Sequence, residues 1–370
     1  MSKNIAILFK HDENWIGGTY YILNLIHAIK LLPESEIPLI TIICENEKDF
    51  ESLKSETGYK NLKKVIYKCG DVNNAGWFKR WKWKKLFYSM DAVFPYPFKE
   101  DDCFRSVKRK LFWIGDFQEK YLPDLFSEKA LKNRESINLK IAASNGEVVF
   151  SSQSAMKDFD RFYPNNKCTK HLLQFAVTHP PIGDLNADEV LKKYDVMQPY
   201  FISPNQFWAH KNHLSIINAV KKLIEDGQNI LLLFTGKEYD YRYPEYTENL
   251  KRKVVELELQ NNIKFLGFID RADQLVLMKH SNAVIQASLF EGWSTVVEDS
   301  KALNCRLILS DIAVHREQEP PMVTWFDPNS VDALVKAITT PFSNKMDYDY
   351  QINKLNYVKQ FNAIINFKSN

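Results

Sequence analysis

A chain of 370 residues with 45% hydrophobic content has the material for two ordinary globular domains. Its 49 basic and 46 acidic residues leave a net charge of only +3, so no bulk field calls for a nucleic-acid partner. The five cysteines (Cys44, Cys69, Cys103, Cys168, Cys305) are odd in number and lack C-x-x-C spacing, which argues against a disulfide framework or a zinc site, and no apolar run approaches bilayer-spanning length. Ile5–Phe9 is too short for a signal-peptide core and reads as a first strand. The expected compartment is the cytoplasm.

After Ile5–Phe9 comes a loop from His11 to Gly18 that ends in Gly17-Gly18, then helical spacing from Tyr20 to Leu32. Strand, glycine pair and helix start fit a phosphate- or substrate-facing loop and fit a plain tight turn equally well. No G-x-G-x-x-G is present, so a dinucleotide site is not supported. Leu39–Cys44, Lys64–Tyr67 and Ala92–Phe94 read as further strands. Between the last two, in residues 76–90, Trp77, Trp81 and Tyr88 recur at roughly helical spacing among Lys79, Arg80, Lys82, Lys84 and Lys85. Three readings compete there: contact with an anionic membrane surface, stacking on a sugar or nucleic acid, and a surface helix whose aromatics pack on their own domain. Leu111–Ile114 is a strand followed by Gly115-Asp116-Phe117-Gln118-Glu119, where Asp116 is either a cleft residue or a cap of the next helix. A polar helix (Glu128–Leu139), a strand (Val148–Ser152), a helix stopped by Pro164 (Gln153–Phe162) and a strand (His171–Phe175) complete the first domain. The sequence from Ala176 to Asp188 is rich in Pro, Gly and Asp and has no period. The predicted division is 1–180 and 196–346 as domains, 181–195 as linker, and 347–370 as a helical tail.

In the second half, Tyr200–Ser203 is a strand, its loop carries Asn205 and Lys211, and Leu214–Ile224 is a helix. A lysine just before a helix N-terminus suits a diphosphate, although a lone loop lysine is usually only solvated. Ile230–Thr235 is a strand ending at Gly236-Lys237, and Ile263–Ile269 is read as a strand containing Gly267. The segment Ser281–Gln318 is the most informative. Ala283–Ala287 is a buried strand, residues 288–294 form a turn containing Glu291, Gly292 and Trp293, a helix opens by Val296, and Arg306–Leu309 returns to a strand. Free N–H groups at that helix start make an anion site flanked by Glu291 and Glu298. Thr295 and Glu298 also fit a capping box. Alternating strands and helices predict parallel sheets, whose ligands bind beyond the carboxyl ends of the strands. Lys211, Gly236, Phe268 and Glu291 all fall there.

The run Glu291-Gly292-Trp293-Ser294-Thr295 with Glu298, and Lys211 at its helix start, resembles the retaining GT-B glycosyltransferases of the glycosyl transferases group 1 family (the family 4 type), in a subgroup with the EGWST wording. Six residues separate the two glutamates, where seven is usual. Asn205 stands where the family has an arginine. Gly115 and Glu119 replace the proline and histidine of a Trp-Ile-Pro-Asp-Phe-Gln-His pattern.

The resemblance implies an α/β fold of two Rossmann-like domains facing a cleft, with a C-terminal helix that crosses back to the first. It implies transfer of a sugar from a nucleotide diphosphate to an acceptor hydroxyl with retention and without a metal or other cofactor. The N-terminal loop with Gly17 and Gly18 would face the acceptor, and Asp116 would line the cleft. Lys211 would neutralise the diphosphate, helped by the N–H groups of Gly292, Trp293 and Ser294, and Thr295 would belong to the same substrate site. Asn205, Gly236 and Phe268 would line the donor site, Glu291 would hold the sugar, and Glu298 the ribose. Expected partners are a nucleotide sugar and a glycan or lipid-linked acceptor, with peripheral membrane contact through 76–90 at the inner membrane face and no nucleic acid. Cell-surface polysaccharide or lipopolysaccharide assembly is the expected setting. Two alternatives stay open: a nucleotide-sugar epimerase on the same fold, and a non-catalytic membrane-associated sugar-nucleotide binder.

Overall fold

The computed structural model describes residues 3–12, 16–68, 76–97, 104–183, 185–197, 199–342 and 346–368. Cys69 and Cys103 lie outside them. The chain divides into two compact units. Unit 1 comprises Met1–Asp116, Lys132–Thr178 and Gln351–Asn370; unit 2 comprises Phe117–Leu131 and His179–Tyr350.

The chain opens with β1 (Asn4–Leu8), α1 (Ile16–Ile29), β2 (Leu39–Cys44), α2 (Glu47–Thr57), β3 (Leu62–Ile66), α3 (Trp77–Tyr88) and β4 (Ala92–Phe94). The strands pair in parallel in the order β3-β2-β1-β4. β5 (Leu111–Ile114) is followed by α4 (Gln118–Tyr121), α5 (Glu128–Ala142), β6 (Glu147–Phe150), α6 (Gln153–Phe162) and β7 (Thr169–Leu172). β5, β6 and β7 form a second parallel sheet, and a bridge from Val93 to Lys110 links it to β4. Parallel strands covered on both faces need continuous apolar runs, and β2 supplies one in Leu-Ile-Thr-Ile-Ile-Cys, with five of its six residues buried. The helices carry the expected end signals. Asn46 caps α2 by accepting from Asp49 N–H, and Gly58 ends it in the left-handed region at φ 58°. Ser152 caps α6 in the same way.

Unit 2 contains α7 (Ala187–Lys193), β8 (Tyr200–Pro204), α8 (His213–Glu225), β9 (Leu231–Thr235), α9 (Tyr246–Glu256), β10 (Ile263–Phe265), α10 (Arg271–Lys279), β11 (Ala283–Gln286), α11 (Thr295–Ala302), β12 (Leu307–Ser310), α12 (Ala313–Glu317), β13 (Val323–Phe326) and α13 (Val331–Thr339). Six parallel strands run β10-β9-β8-β11-β12-β13. In unit 2's own sequence order this is 3-2-1-4-5-6, the doubly wound arrangement with its switch point between β8 and β11. Fully buried residues such as Ile217, Leu232, Phe234 and Ile285 fill one face of the sheet, and Ile202, Leu233, Leu277 and Val284 the other.

The final helix, α14 (Gln351–Asn366), belongs to unit 1. Arg109 fixes it there. Its guanidinium donates to the Ile364 and Ile365 carbonyls at 2.8 and 2.9 Å, while Nε and Nη2 hold the Glu147 carboxylate at 2.7 and 2.5 Å. A cation thus satisfies carbonyls that the helix end leaves without intrahelical partners.

Several expectations from sequence change. α1 begins at Ile16, so Gly17 and Gly18 sit in its first turn instead of ending a loop. The strand expected to run to Ile269 stops at Phe265, because Gly267 adopts φ 68°. The linker reading of 181–195 is replaced by a capped helix, α7, packed on α10 within unit 2. Phe117–Leu131, read as part of the first domain, groups with unit 2. Among the described residues, no helix is long and apolar enough to cross a membrane.

Candidate functional site

The switch point of the unit 2 sheet is where the loops after β8 and β11 part, and both carry chemistry. Lys211 sits in a short turn before α8, and Glu291 in the turn between β11 and α11. The Leu289 N–H donates to the His210 carbonyl at 2.8 Å and stitches the two loops together. Lys211 Nζ then reaches Glu291 Oε1 at 2.6 Å, with both side chains largely buried. Gln286 Nε2 at 2.9 Å and Ser288 Oγ at 2.7 Å donate to the same oxygen. All three bonds go to Oε1, and none reaches Oε2 among the described residues.

Burial pushes the Glu291 carboxyl up, but the Lys211 ammonium more than offsets this, with contributions from His210 and His315, and holds it at about 2. Burial itself lowers both imidazoles, His315 to about 4 and His210 well below its usual value. At neutral pH both are therefore uncharged, and Lys211 is the cation that matters.

Asn205 lies beneath this pair rather than in the crevice. Its side-chain amide donates to Gln286 Oε1 at 2.6 Å and to Ser203 Oγ at 3.2 Å, so both of its protons are used inside the unit. Its place is to orient Gln286, which in turn holds Glu291. Gln286 was not singled out from the sequence; a polar residue ending an apolar strand was the available signal. Gly236 lies against the same loop. A Cβ there would fall 2.0 Å from the Asn205 carbonyl oxygen, and its φ of 143° is outside what other residues readily adopt. Its N–H donates to the Gly267 carbonyl at 2.8 Å, joining the ends of β9 and β10. Phe268, next in the chain, is exposed.

α11 starts one residue earlier than the sequence suggested. Ser294, not Thr295, is the N-cap, accepting from Val297 N–H, so the Thr295–Glu298 capping box does not form. The Ser294 N–H is taken by Gln318 Oε1, while the N–H groups of Thr295 and Val296 have no partner among the described residues. Two free amides at a helix start remain as an anion-binding end. Gly292 and Trp293 are half-buried in the turn before it.

Glu298, expected at the ribose, is bonded within the unit. It is fully buried. Oε1 accepts from Gln318 at 2.9 Å and Lys301 at 3.2 Å, and Oε2 accepts from the Tyr350 hydroxyl at 2.7 Å. These bonds tie the start of α11 to the Gln318 segment and to Tyr350. The neighbouring Asp299 points to different partners, His179 at 2.9 Å and Arg271 at 2.6 Å, the latter opening α10 after the Phe268 loop. Burial raises the Asp299 carboxyl, but Arg271 and His179 bring it below the usual range. A second cation that sequence reasoning missed is Arg242. Its guanidinium stacks over Trp208 at 5.2 Å and bonds Asp240 and Gln118, so its charge is balanced within the unit.

In unit 1, Asp116 follows β5, partly exposed and 3.9 Å from Arg134. Gly18 contributes to a cavity of about 380 Å³ at the ends of β1, β2 and β4. Glu119, in unit 2, is buried within α4. The structure thus brings Lys211 and Glu291 together, with Asn205 and Gly236 as their supports, and leaves Asp116, Gly17 and Gly18 in the other unit.

Residues 188–356 match the family described as Glycosyl transferases group 1. Across its whole length the chain superimposes on a glycosyltransferase from Rickettsia africae, with a TM-score of 0.65 at 18% identity, covering 99% of this chain and 94% of that one. The Anabaena protein Alr3699/HepE, solved with UDP and glucose, gives a TM-score of 0.65 at 13% identity and coverages of 98% and 94%. The fold is GT-B, and the match to the glycosyl transferases group 1 family covers a little under half of the chain. Among curated relatives, the O-antigen chain mannosyltransferase RfbU of Salmonella typhimurium is 28% identical over 232 residues, 63% of this chain. That match spans 60% of the relative's own length.

Proposed function

We propose that this GT-B chain is a glycosyltransferase that moves a hexosyl group from a nucleotide-diphosphate sugar to an acceptor hydroxyl, with retention, in assembly of a cell-surface glycan. The observation that carries the reading is the Lys211–Glu291 pair at the switch point of the unit 2 sheet, 2.6 Å apart and buried. A buried pair is a weak device for stabilising a fold, because desolvation cancels much of the Coulomb gain. It is a strong device for recognising a ligand that is itself charged. The mannosyltransferase relative and the UDP-bound neighbour support a nucleotide sugar as donor.

In this reading, the bond from the anomeric carbon to the diphosphate oxygen breaks, the bond to the acceptor oxygen forms, and the acceptor's proton leaves with the diphosphate. The demand on the protein is to stabilise the charge that develops on the leaving group. Lys211 supplies a cation and the Thr295 and Val296 N–H groups supply fixed dipoles, without calling on a metal. Glu291, ionised at any physiological pH, offers Oε2 to a hydroxyl of the donor sugar. We assign no protein nucleophile. Glu298 acts by holding the start of α11 in place.

The test is thermal unfolding of the full chain with a panel of nucleoside diphosphates and their sugars, without added metal, since a ligand that binds the native state raises its apparent stability. One nucleotide should shift the transition, and Lys211→Ala should abolish the shift. No shift with any of them, from well-folded protein, would overturn the reading. Turnover of the nucleotide sugar with no acceptor present would favour an epimerase instead.

A further inference from the structure

The two faces of α3 differ. Inward, Trp83, Leu86, Phe87 and Met90 recur at helical spacing, and Phe87 and Met90 are fully buried. Tyr67 meets Trp83 and Phe87 edge-on at 4.8 and 5.2 Å. Outward, Trp77, Phe78 and Trp81 are 71%, 73% and 50% exposed. Around them stand Lys79, Lys82, Lys84 and Lys85, all exposed, and no acidic residue occurs between Gly76 and Met90. Lys85 Nζ lies 5.4 Å over the Trp81 ring. Large aromatics left in water beside lysines that can extend past them form an interfacial pattern.

The inner face of this helix leads to the cavity. Tyr67 and Phe104, which pack against each other at 5.3 Å and against Phe87, are also part of the cavity wall. Leu8, Ile22, Ile43 and Pro95 continue that wall, which is mainly apolar, and Lys10, Asp12, Thr19 and Glu45 also line the space. At about 380 Å³ the space is of ligand size. The apolar stretch of this lining suits hydrocarbon, and its charged side chains suit the polar group that the hydrocarbon carries.

We propose that unit 1 works on an anionic phospholipid bilayer: α3 lies in the headgroup layer, and the adjoining cavity takes the apolar leading segment of a lipid-carried acceptor. The word acceptor rests on the transferase reading above; the bilayer contact does not. The charge of α3 selects the occupant, since five basic residues and no acidic one complement a negative leaflet.

The experiment is co-sedimentation of the full chain with vesicles of phosphatidylcholine alone or mixed with phosphatidylglycerol. Binding should require phosphatidylglycerol and weaken as salt rises. Lys82→Glu with Lys85→Glu should lower it by about tenfold or more, and Trp77→Ser with Trp81→Ser should abolish it. These positions are exposed, so unchanged thermal unfolding verifies folding. Equal binding by the variants, no binding at low salt, or a concentration-dependent dimer that the tryptophan variant abolishes would each overturn the proposal. For the cavity, farnesyl phosphate should raise the unfolding temperature where inorganic phosphate does not, and Ile22→Trp should remove that rise while keeping the nucleotide response. Equal responses to both phosphates would overturn that part. Should no nucleotide stabilise even the parent chain, the transferase reading fails while both the vesicle and the farnesyl phosphate results remain readable.

Discussion

In unit 2 the loops after β8 and β11 meet in a charged, hydrogen-bonded crevice, whereas in unit 1 the ends of β1, β2 and β4 surround a mainly apolar cavity. Both are the carboxyl ends of parallel strands, the place where such sheets take ligands. One offers a cation, helix amides and an ionised carboxylate; the other offers aromatic and aliphatic walls. The same contrast holds for the two buried ion pairs. Glu147 in unit 1 and Glu291 in unit 2 are each pushed up by burial and held at about 2 by a cation. Arg109 and Glu147 use their bonds on each other, on His171 and on the last carbonyls of α14. Lys211 and Glu291 leave an oxygen open at a switch point. In the proposed reading, buried charge is structural where its bonding is closed and serves a ligand where it is left open.

Breaking the closed networks should cost stability most. Arg109→Ala strips Glu147 of its cation and uncaps α14, and Glu298→Ala leaves Lys301 buried without its carboxylate. Each should destabilise by about 3–5 kcal/mol in denaturant unfolding, and Glu298→Ala should leave donor affinity per folded molecule intact. A selective loss of nucleotide binding in Glu298→Ala would return that residue to the donor site. Lys211→Ala should lower kcat/KM by about two to three orders of magnitude, the scale of removing one donor to a developing anion. Unaltered turnover would break the contrast between the two pairs.

A graded effect follows the pH. Burial lowers His213 to about 3 and His315 to about 4, from 6.5. A group whose folded pKa is lowered in this way lets the unfolded chain take up the proton first, so stability falls as pH drops below 6.5. Each should cost about 1.4 kcal/mol per pH unit until its folded pKa is reached. The two carboxylates near 2 act later, since their contribution is intact above 4.5 and is lost from there downward. Amide exchange between pH 6.5 and 4.5 should therefore show protection falling around α8 and α12 in unit 2 and, through His27, which burial lowers to about 4, around α1 in unit 1. His213→Phe keeps the stack on Phe207, now 4.6 Å between centroids, and should flatten the dependence. An unchanged slope in that variant would place the acid sensitivity elsewhere.

Much of this was legible in the sequence because parallel strands need unbroken apolar runs. Leu39–Cys44, Leu231–Thr235 and Ala283–Gln286 announce themselves, and a lysine and a glutamate after two such strands converge wherever the sheet is doubly wound. The wording Glu291-Gly292-Trp293-Ser294-Thr295 named the turn. What the pattern could not give was direction around a helix. Glu298 and Asp299 are adjacent in sequence, and the rotation of α11 alone sends the first to Gln318 and Tyr350 and the second to Arg271 and His179. On α3, too, the spacing of Trp77, Trp81 and Tyr88 marked a stripe without saying whether it faced in or out; the structure turns it outward and buries Phe87 instead.

The sequence by itself determined the alternation of strands and helices, the parallel sheets and the residue types at their ends, because these follow from local periodicity and from which residues tolerate burial. The tertiary structure decided which carboxylates keep an open oxygen, which aromatics meet water, and that Gln286 and Asn205 stand beneath Glu291. Those depend on side chains far apart in the chain competing for the same few hydrogen bonds and the same enclosed space, and only the packed sheet fixes the outcome.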